Sequence, residues 1–106
     1  NVTQVIPSSS DPVESKAVVD IVIASNDLDC KSHFIKKQIS ALNRKLNWLV
    51  YYTNLKQTND IGSLLSKYSK TIAGINKANI SVKYCEIKRD ALIKQSELIA
   101  KTVLGR

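Results

Sequence analysis

The chain has 106 residues, of which 43% are hydrophobic and 24% charged, and its formal net charge is +7 at pH 7. This length allows one domain with one modest core, and no apolar run approaches the ~20 residues that a membrane span needs. With three glycines and two prolines, the chain lacks the turn signals every ~8–12 residues that a β-sandwich or barrel requires. We therefore predict an all-α fold, a small antiparallel bundle of three to four helices.

The start of the chain predicts an arm followed by a helix. Residues 1–10 are mostly polar and contain a proline and a run of three serines, so we expect a flexible N-terminal arm ahead of a single helical domain at 11–106. Asp11 followed by Pro12 is typical of a helix start and predicts helix one over residues 12–25. The middle of this segment is rich in β-branched residues, which leaves a buried strand as the alternative. A lone strand without a partner is not expected to be stable.

Residues 28–56 are predicted as the second helix, with Asn26 or Asp27 as its cap. Five apolar residues and a threonine recur along it at alternating spacings of four and three, the seam pattern of a packed helix pair; they are Ile35, Ile39, Leu42, Leu46, Leu49 and Thr53. A second apolar group lies on an adjacent flank, counting about 100° per residue, so this helix should contact more than one neighbour. Any part of the seam left exposed would support a homodimer.

The second half of the chain leaves two architectures open. A polar break at residues 57–60 follows the second helix, and Asp60 can cap a third. Residues 74–79 include poor helix formers. The chain after the polar break is therefore either one helix over 60–104 that continues through them or two helices with a short loop between them. We favour the break, which gives a compact four-helix bundle, because ~45 residues of uninterrupted helix exceed the usual globular length.

The two cysteines, Cys30 and Cys85, lie at matched distances from the polar break, because the midpoint of their positions falls on it. If the flanking segments fold back as a long antiparallel αα-hairpin, the two sulfurs meet at its far end. We therefore predict a Cys30–Cys85 disulfide that clamps the hairpin. The alternative is a cytosolic domain with two buried free thiols, since free cysteine is a common core residue.

Several weak features together favour a secreted protein. The cysteine pair suits an oxidising compartment. Two glycosylation sequons make Asn1 and Asn79 candidate glycan sites. The chain contains no methionine, so we expect Asn1 to have been exposed by cleavage.

Charge is divided unevenly along the chain. Residues 1–29 hold one base and five acids, for a net −4, whereas residues 30–106 hold fifteen bases and four acids, for +11. Between residues 30 and 59 there are six bases and no acid. The solvent-facing side of helix two is therefore predicted to bind an acidic protein or an anionic membrane surface. Lys36, Lys37, Arg44 and Tyr51 lie on the arc opposite the seam; the candidate residues are these four together with Lys45, and Trp48 as an anchor if it is exposed. The simpler explanation of these lysines is solubility.

Other partner classes have less support. Only two arginines precede Arg106, and no base-reading motif is present, so nucleic acid is not expected to be the partner. His33 is the only histidine, and it could activate Cys30 only if that thiol were free. There is no Cys-x-x-Cys pair, second histidine or glycine-rich phosphate loop. We therefore expect no catalytic residues, no metal site and no cofactor.

Two non-enzymatic functions remain. In the first, the chain is a secreted effector, toxin or ligand that binds a cell surface or receptor through its basic helical face. In the second, it carries an apolar small molecule or lipid in the bundle interior. The candidate lining residues for the carrier are Phe34, Leu42, Leu46, Trp48, Tyr52, Tyr68 and Ile72, for which ordinary core packing is the simpler explanation.

Overall fold

A computed structural model describes residues 11–77 and 81–106 of the chain. In it, four α-helices follow one another; they are α1 Pro12–Asn26, α2 Ile35–Lys56, α3 Gly62–Lys77 and α4 Val82–Leu104. A short 3-10 turn, Asn59–Ile61, precedes α3. Both α1 and α3 pack against α2 and α4, so the helices form a closed bundle in which neighbours along the chain lie antiparallel. The predicted all-α bundle is confirmed.

Helix α1 begins as its sequence predicts. Asp11 caps it by accepting a hydrogen bond at 2.9 Å from the backbone N–H of Val13, and Pro12 takes the first helical position. The β-branched residues form no strand here, because helical spacing places Val18 and Ile21 together in the core. The strand alternative is therefore wrong.

Helix α2 begins later than predicted, at Ile35 instead of residue 28. The predicted caps also have another role, because Asn26 is the last residue of α1 and Asp27 closes that helix. The backbone N–H of Asp27 donates to the carbonyl of Ile23 at 2.9 Å. Residues 27–34 thus belong to the connection between α1 and α2.

Local polar side chains explain why this connection is not helical. The backbone N–H of Lys31 donates to Asp29 Oδ1 at 3.0 Å, and that of Phe34 donates to Ser32 Oγ at 3.0 Å. Such bonds offer the backbone partners that compete with helical hydrogen bonding. Leu28, only 2% exposed, ties the connection to the core.

The seam predicted for helix two faces the bundle interior. Its buried members are Ile39, Leu42, Leu46, Leu49 and Thr53, whereas Ile35 is half-buried. The seam therefore packs against helices of the same chain, and homodimerisation stays a prediction that would need another surface.

The break in the second half of the chain is confirmed, and the single helix over 60–104 is wrong. Helix α3 ends at Lys77, and α4 starts after Ser81, whose Oγ accepts from the N–H of Tyr84 at 3.0 Å. Asp60 lies in the 3-10 turn, where its carboxylate pairs with Arg106. The predicted arm at 1–10 and both sequon asparagines, Asn1 and Asn79, lie outside the described residues.

The predicted disulfide joins Cys30 to Cys85, with Cα atoms 5.7 Å apart and a sequence separation of 55. Cys30 lies in the α1–α2 connection and Cys85 in the first turn of α4. Because α3 brings the chain back to the end at which α2 began, the symmetry about the polar break places the two sulfurs together. The bond therefore joins the α1–α2 connection to α4. In a simple hairpin, the second cysteine would lie on the helix that directly follows α2, but here it lies on the helix after that one.

Candidate binding surface on helix α2

All six residues predicted for surface binding are exposed; they are Lys36, Lys37, Arg44, Lys45, Trp48 and Tyr51. The condition attached to Trp48 is met, since 44% of its surface is accessible, and Tyr51 is 63% exposed. The buried seam of α2 fixes this arrangement, because one side of the helix faces the core and these residues occupy the remainder.

The six residues divide into two neighbouring groups. Lys36, Lys37 and Arg44 line a shallow cleft of about 450 Å³ together with Ser40. Lys45 and Trp48 instead border a groove of about 410 Å³ between α1 and α2, and Tyr51 lies on the outward side further along α2.

Four cations of α2, Lys36, Lys37, Arg44 and Lys45, form no ion pair among the described side chains. Among the side chains that the structure describes, the ion pairs are Lys16–Asp20, Arg106–Glu14 and Arg106–Asp60, and none involves a cation of α2. Two acids of α1 are thus paired with cations outside α2. Lys36, Lys37, Arg44 and Lys45 are therefore available to an external anion, whereas Lys56 interacts with the nearby carboxylate of Asp11.

The sequence prediction missed Leu55, which extends the predicted surface along the outward side of α2. Leu55 is 62% exposed, and it follows Arg44, Trp48 and Tyr51 at spacings of four, three and four. This is the same rhythm as the buried seam, on the opposite side of the helix. The signal was present in the sequence as a second 4-3 pattern, but one such pattern already accounted for the core.

Contacts with neighbouring groups orient the aromatic part of this surface. Trp48 stacks on Tyr52 with ring centroids 5.0 Å apart and planes 12° from parallel. Lys56 Nζ lies 5.7 Å from the centre of the Tyr52 ring. The Tyr52 hydroxyl donates to Asp11 Oδ2 at 2.6 Å, which raises the pKa of Tyr52 to about 12 and lowers that of Asp11. Tyr52 is thereby tied to the start of α1 and supports the indole above the α1–α2 groove.

This groove is mainly apolar at its Trp48 end, where Val13 and Ala17 of α1 also line it. A second section of about 590 Å³ continues toward the other end of the two helices. Asp20 and Lys45 line both sections. The groove therefore offers apolar surface with one acid and one base at its middle.

The residues predicted to line a carrier cavity do not surround one space. Leu42, Leu46, Tyr68 and Ile72 are fully packed in the core, Tyr52 is half-buried, and Phe34 and Trp48 are exposed. Only Trp48 borders the groove at its apolar end, and Leu42 borders its second section.

Cysteine and histidine chemistry is limited by the disulfide. Cys30 is bonded to Cys85, so it offers no thiolate to the exposed His33. Among the described residues, no three side chains of the metal-binding types histidine, cysteine, aspartate and glutamate lie together in a group that could hold a metal ion. Within the same residues, no helix is long and apolar enough to cross a bilayer.

No family model, curated protein or solved structure matches this chain. Function therefore has to be inferred from the chain's own residues.

Proposed function

We propose that this is a secreted, non-enzymatic protein, an effector, toxin or ligand, that binds an anionic cell surface or receptor through the basic face of α2. The basic face comprises Lys36, Lys37, Arg44 and Lys45 with Trp48 and Tyr51. The observation that carries the proposal is that these four cations are exposed on one helix and, among the described residues, form no ion pair.

The clustered cations of the basic face favour an anionic partner. Like charges held close together on one helix repel each other, and an anionic partner relieves the repulsion while its attraction speeds association. The core seam on the other side of α2 makes the helix a rigid support, which reduces the entropy lost on binding. The Cys30–Cys85 disulfide supports secretion, because such bonds persist mainly in oxidising compartments.

The test compares two charge-matched triple variants. Lys36→Gln, Lys37→Gln and Arg44→Gln together remove three charges from the basic face. The control removes three charges from exposed lysines of α3 and α4 with the substitutions Lys67→Gln, Lys70→Gln and Lys94→Gln. Binding is measured against immobilised polyglutamate and against vesicles containing phosphatidylserine, over a range of salt concentrations.

We expect salt-sensitive binding to at least one of these anionic surfaces that the basic-face variant weakens by about 100-fold. This corresponds to about 1 kcal/mol for each cation near an anionic surface. The control should bind nearly as well as the native chain. Equal losses in both variants would mean that net charge alone is responsible, and the assignment to α2 would be abandoned.

A second candidate function places an apolar ligand in the α1–α2 groove instead of the bundle interior. The observation that favours it is the groove volume of about 410 Å³ at an apolar end formed by Val13, Ala17 and Trp48, within the ~300–1,000 Å³ typical of ligand pockets. Organic extraction of protein recovered from its natural source should yield a bound lipid or small molecule. An extract without one, and a native mass equal to that of the chain and its modifications, would reject the carrier.

A further inference from the structure

The outward side of α2 changes character along the helix. Its first half carries cations, whereas its second half carries three large side chains, Trp48, Tyr51 and Leu55, exposed at 44%, 63% and 62%. Spacings of three and four residues place the three on one line along the helix. We name these three residues the apolar ridge.

The apolar ridge is widened by α1 and bordered by cations. Val13, which is 50% exposed, lines the same groove as Trp48. Arg44 and Lys45 precede the ridge and Lys56 follows it. The long apolar stems of these cations allow their charged ends to remain at a polar boundary while the ridge lies deeper.

Two acids lie beside this surface, Asp11 just before α1 and Asp20 on it, and both contact other residues of the chain. Asp11 accepts the hydrogen bond from Tyr52, and Asp20 is paired with Lys16 at 2.9 Å. The surface is therefore apolar at its centre, and Arg44 and Lys45 make one border positive because neither forms an ion pair among the described side chains. At the other border, Lys56 interacts with Asp11.

We infer that the anionic partner is a lipid bilayer, and that α2 lies in the plane of its interface. In this arrangement the apolar ridge enters among the headgroups, and Arg44, Lys45 and Lys56 bind lipid phosphates. The inference rests on the proposed function, whose basic face it extends by Leu55 and Lys56.

Two features favour a bilayer over an acidic protein. First, all three ridge residues lie on a single helix, whereas a stable protein interface needs a complementary surface of about 800 Å² on each partner. A bilayer adapts to a narrow apolar surface without a matching shape. Second, five of the six bases in residues 30–59 are lysines, which act as point charges and lack the planar fork that arginine uses for specific carboxylate recognition. Tryptophan and tyrosine also suit the headgroup region, since each has an apolar ring and a polar group.

The experiment uses Trp48, the only tryptophan in the chain, as the reporter. Its emission is recorded with vesicles of phosphatidylcholine alone and of phosphatidylcholine mixed with phosphatidylserine. We expect a blue shift, and quenching by brominated acyl chains, only with the anionic vesicles. Salt should reduce both effects, because it screens the attraction that brings the protein to the surface.

Two double variants test the apolar ridge while leaving Trp48 and every cation in place. Tyr51→Ser with Leu55→Ser removes most of the ridge. The control is Ile87→Ser with Leu98→Ser, which removes two exposed apolar side chains of α4, at 57% and 52% exposure. Far-UV circular dichroism checks that both variants fold.

The ridge variant should bind anionic vesicles at least about tenfold more weakly, because it loses buried apolar area. Any loss in its binding to polyglutamate should be smaller than this, since all the cations of the basic face remain although Tyr51 is replaced. The control should bind vesicles like the native chain. An unchanged Trp48 emission with anionic vesicles, or native-like vesicle binding by the ridge variant, would overturn the inference.

The same measurements separate this inference from the proposed function. Polyglutamate binding that depends on Lys36, Lys37 and Arg44, without vesicle binding, would overturn the bilayer, leave the basic face in place and identify an acidic protein as the partner. A chain that binds neither polyglutamate nor anionic vesicles would overturn both proposals.

Discussion

The guanidinium of Arg106 bonds the carboxylate of Glu14, 92 residues earlier in the chain. The same guanidinium holds Asp60 through two bonds, Nη2 to Oδ1 at 2.5 Å and Nε to Oδ2 at 3.0 Å. Glu14 also accepts from Thr58 Oγ1 at 3.3 Å and is only 2% exposed. These contacts join the start of α1, the turn before α3 and the end of α4, so they close the end of the bundle opposite to the disulfide.

Replacing Arg106 by glutamine should destabilise the fold more than an exposed ion pair would. The substitution leaves Glu14 charged and buried without its cation, which costs several kcal/mol in a fully buried pair. Because Arg106 keeps 20% of its side-chain surface exposed, water screens part of the interaction. We expect a loss of about 2–3 kcal/mol in the free energy of unfolding, measured by urea denaturation at neutral pH with the disulfide intact.

The matched control for this loss is the double variant Glu14→Gln with Arg106→Gln. It removes the pair without leaving a buried charge, so it should be more stable than the single Arg106 variant. Ordinary surface substitutions change the free energy of unfolding by up to about 0.5 kcal/mol. If the single Arg106 variant lies within this range of the native chain, the bonds from Arg106 to Glu14 and Asp60 do not stabilise the fold.

The lowered pKa of Asp60 predicts how the free energy of unfolding changes in acid. Hydrogen bonds from Arg106 hold the pKa of Asp60 below its ordinary value of 3.8. The folded state then binds fewer protons than the unfolded state, so this contribution is complete above pH 3.8 and declines as the pH falls through the lowered pKa. Since the Asp60 side chain is about half exposed (48%), the effect should be small.

The measurement is the free energy of unfolding of the native chain and of Asp60→Asn, from neutral pH down to about pH 2.5. The variant should be less stable at neutral pH, and its stability should fall less steeply below about pH 4. Some decline should remain, because the pKa of Asp11 is also lowered, by its hydrogen bond from Tyr52. Parallel curves for the two proteins would contradict this role of Asp60.

Features encoded locally or periodically were predictable from the sequence. The start of α1 follows from Asp11 and Pro12, and the core side of α2 follows from the spacing of its apolar residues. The disulfide was predictable because an antiparallel return of the chain converts equal distances along the sequence into proximity in space. The start of α2 was not, since Asp29 and Ser32 can stand in a helix or bond the backbone of a loop equally well.

Long-range pairing of charges leaves no such pattern. Nothing near Arg106 indicates that it bonds Glu14 rather than any other acid, because that choice depends on how the helix ends meet. The candidate surface on α2 likewise has features that follow from local periodicity and features that depend on long-range packing. Periodicity predicts that Lys36, Lys37, Arg44 and Tyr51 lie opposite the core, whereas it leaves the exposure of Trp48 open. The groove that separates Lys45 and Trp48 from the others depends on where α1 packs.

Loss of the disulfide should lower stability substantially. The cross-link closes a loop with a sequence separation of 55, for which loop entropy gives about 4 kcal/mol as an upper value, with about 2–4 common in practice. Cys30 and Cys85 are 6% and 0% exposed, so Cys30→Ala with Cys85→Ala also removes a little core volume. We expect a clear decrease in the melting temperature of this double variant.

Reduction of the native chain provides the companion measurement, since it breaks the bond without changing the sequence. Iodoacetamide should modify neither cysteine before reduction and both after reduction and unfolding. A melting temperature that is the same before and after reduction would refute the stabilising role of the cross-link.

Tyr68 and Ser25 form a buried polar contact between α3 and α1, with their hydroxyl oxygens 2.6 Å apart. Ser25 Oγ also bonds the carbonyl of Ile21 at 2.7 Å, and only the serine can donate in that bond. The tyrosine therefore donates to the serine. Burial raises the pKa of Tyr68 to about 12, so its hydroxyl keeps the proton that it donates at neutral pH.

The direction of this bond predicts unequal effects for its two partners. Tyr68→Phe removes the bond but leaves Ser25 bonded to Ile21, so it should cost about 1 kcal/mol. Ser25→Ala leaves the Tyr68 hydroxyl buried without an acceptor and should cost about 1–3 kcal/mol. The double variant should lose about 1 kcal/mol less than the sum of the single losses, measured by urea denaturation of all four proteins. Strictly additive losses, or a larger loss for Tyr68→Phe than for Ser25→Ala, would contradict the assigned donor.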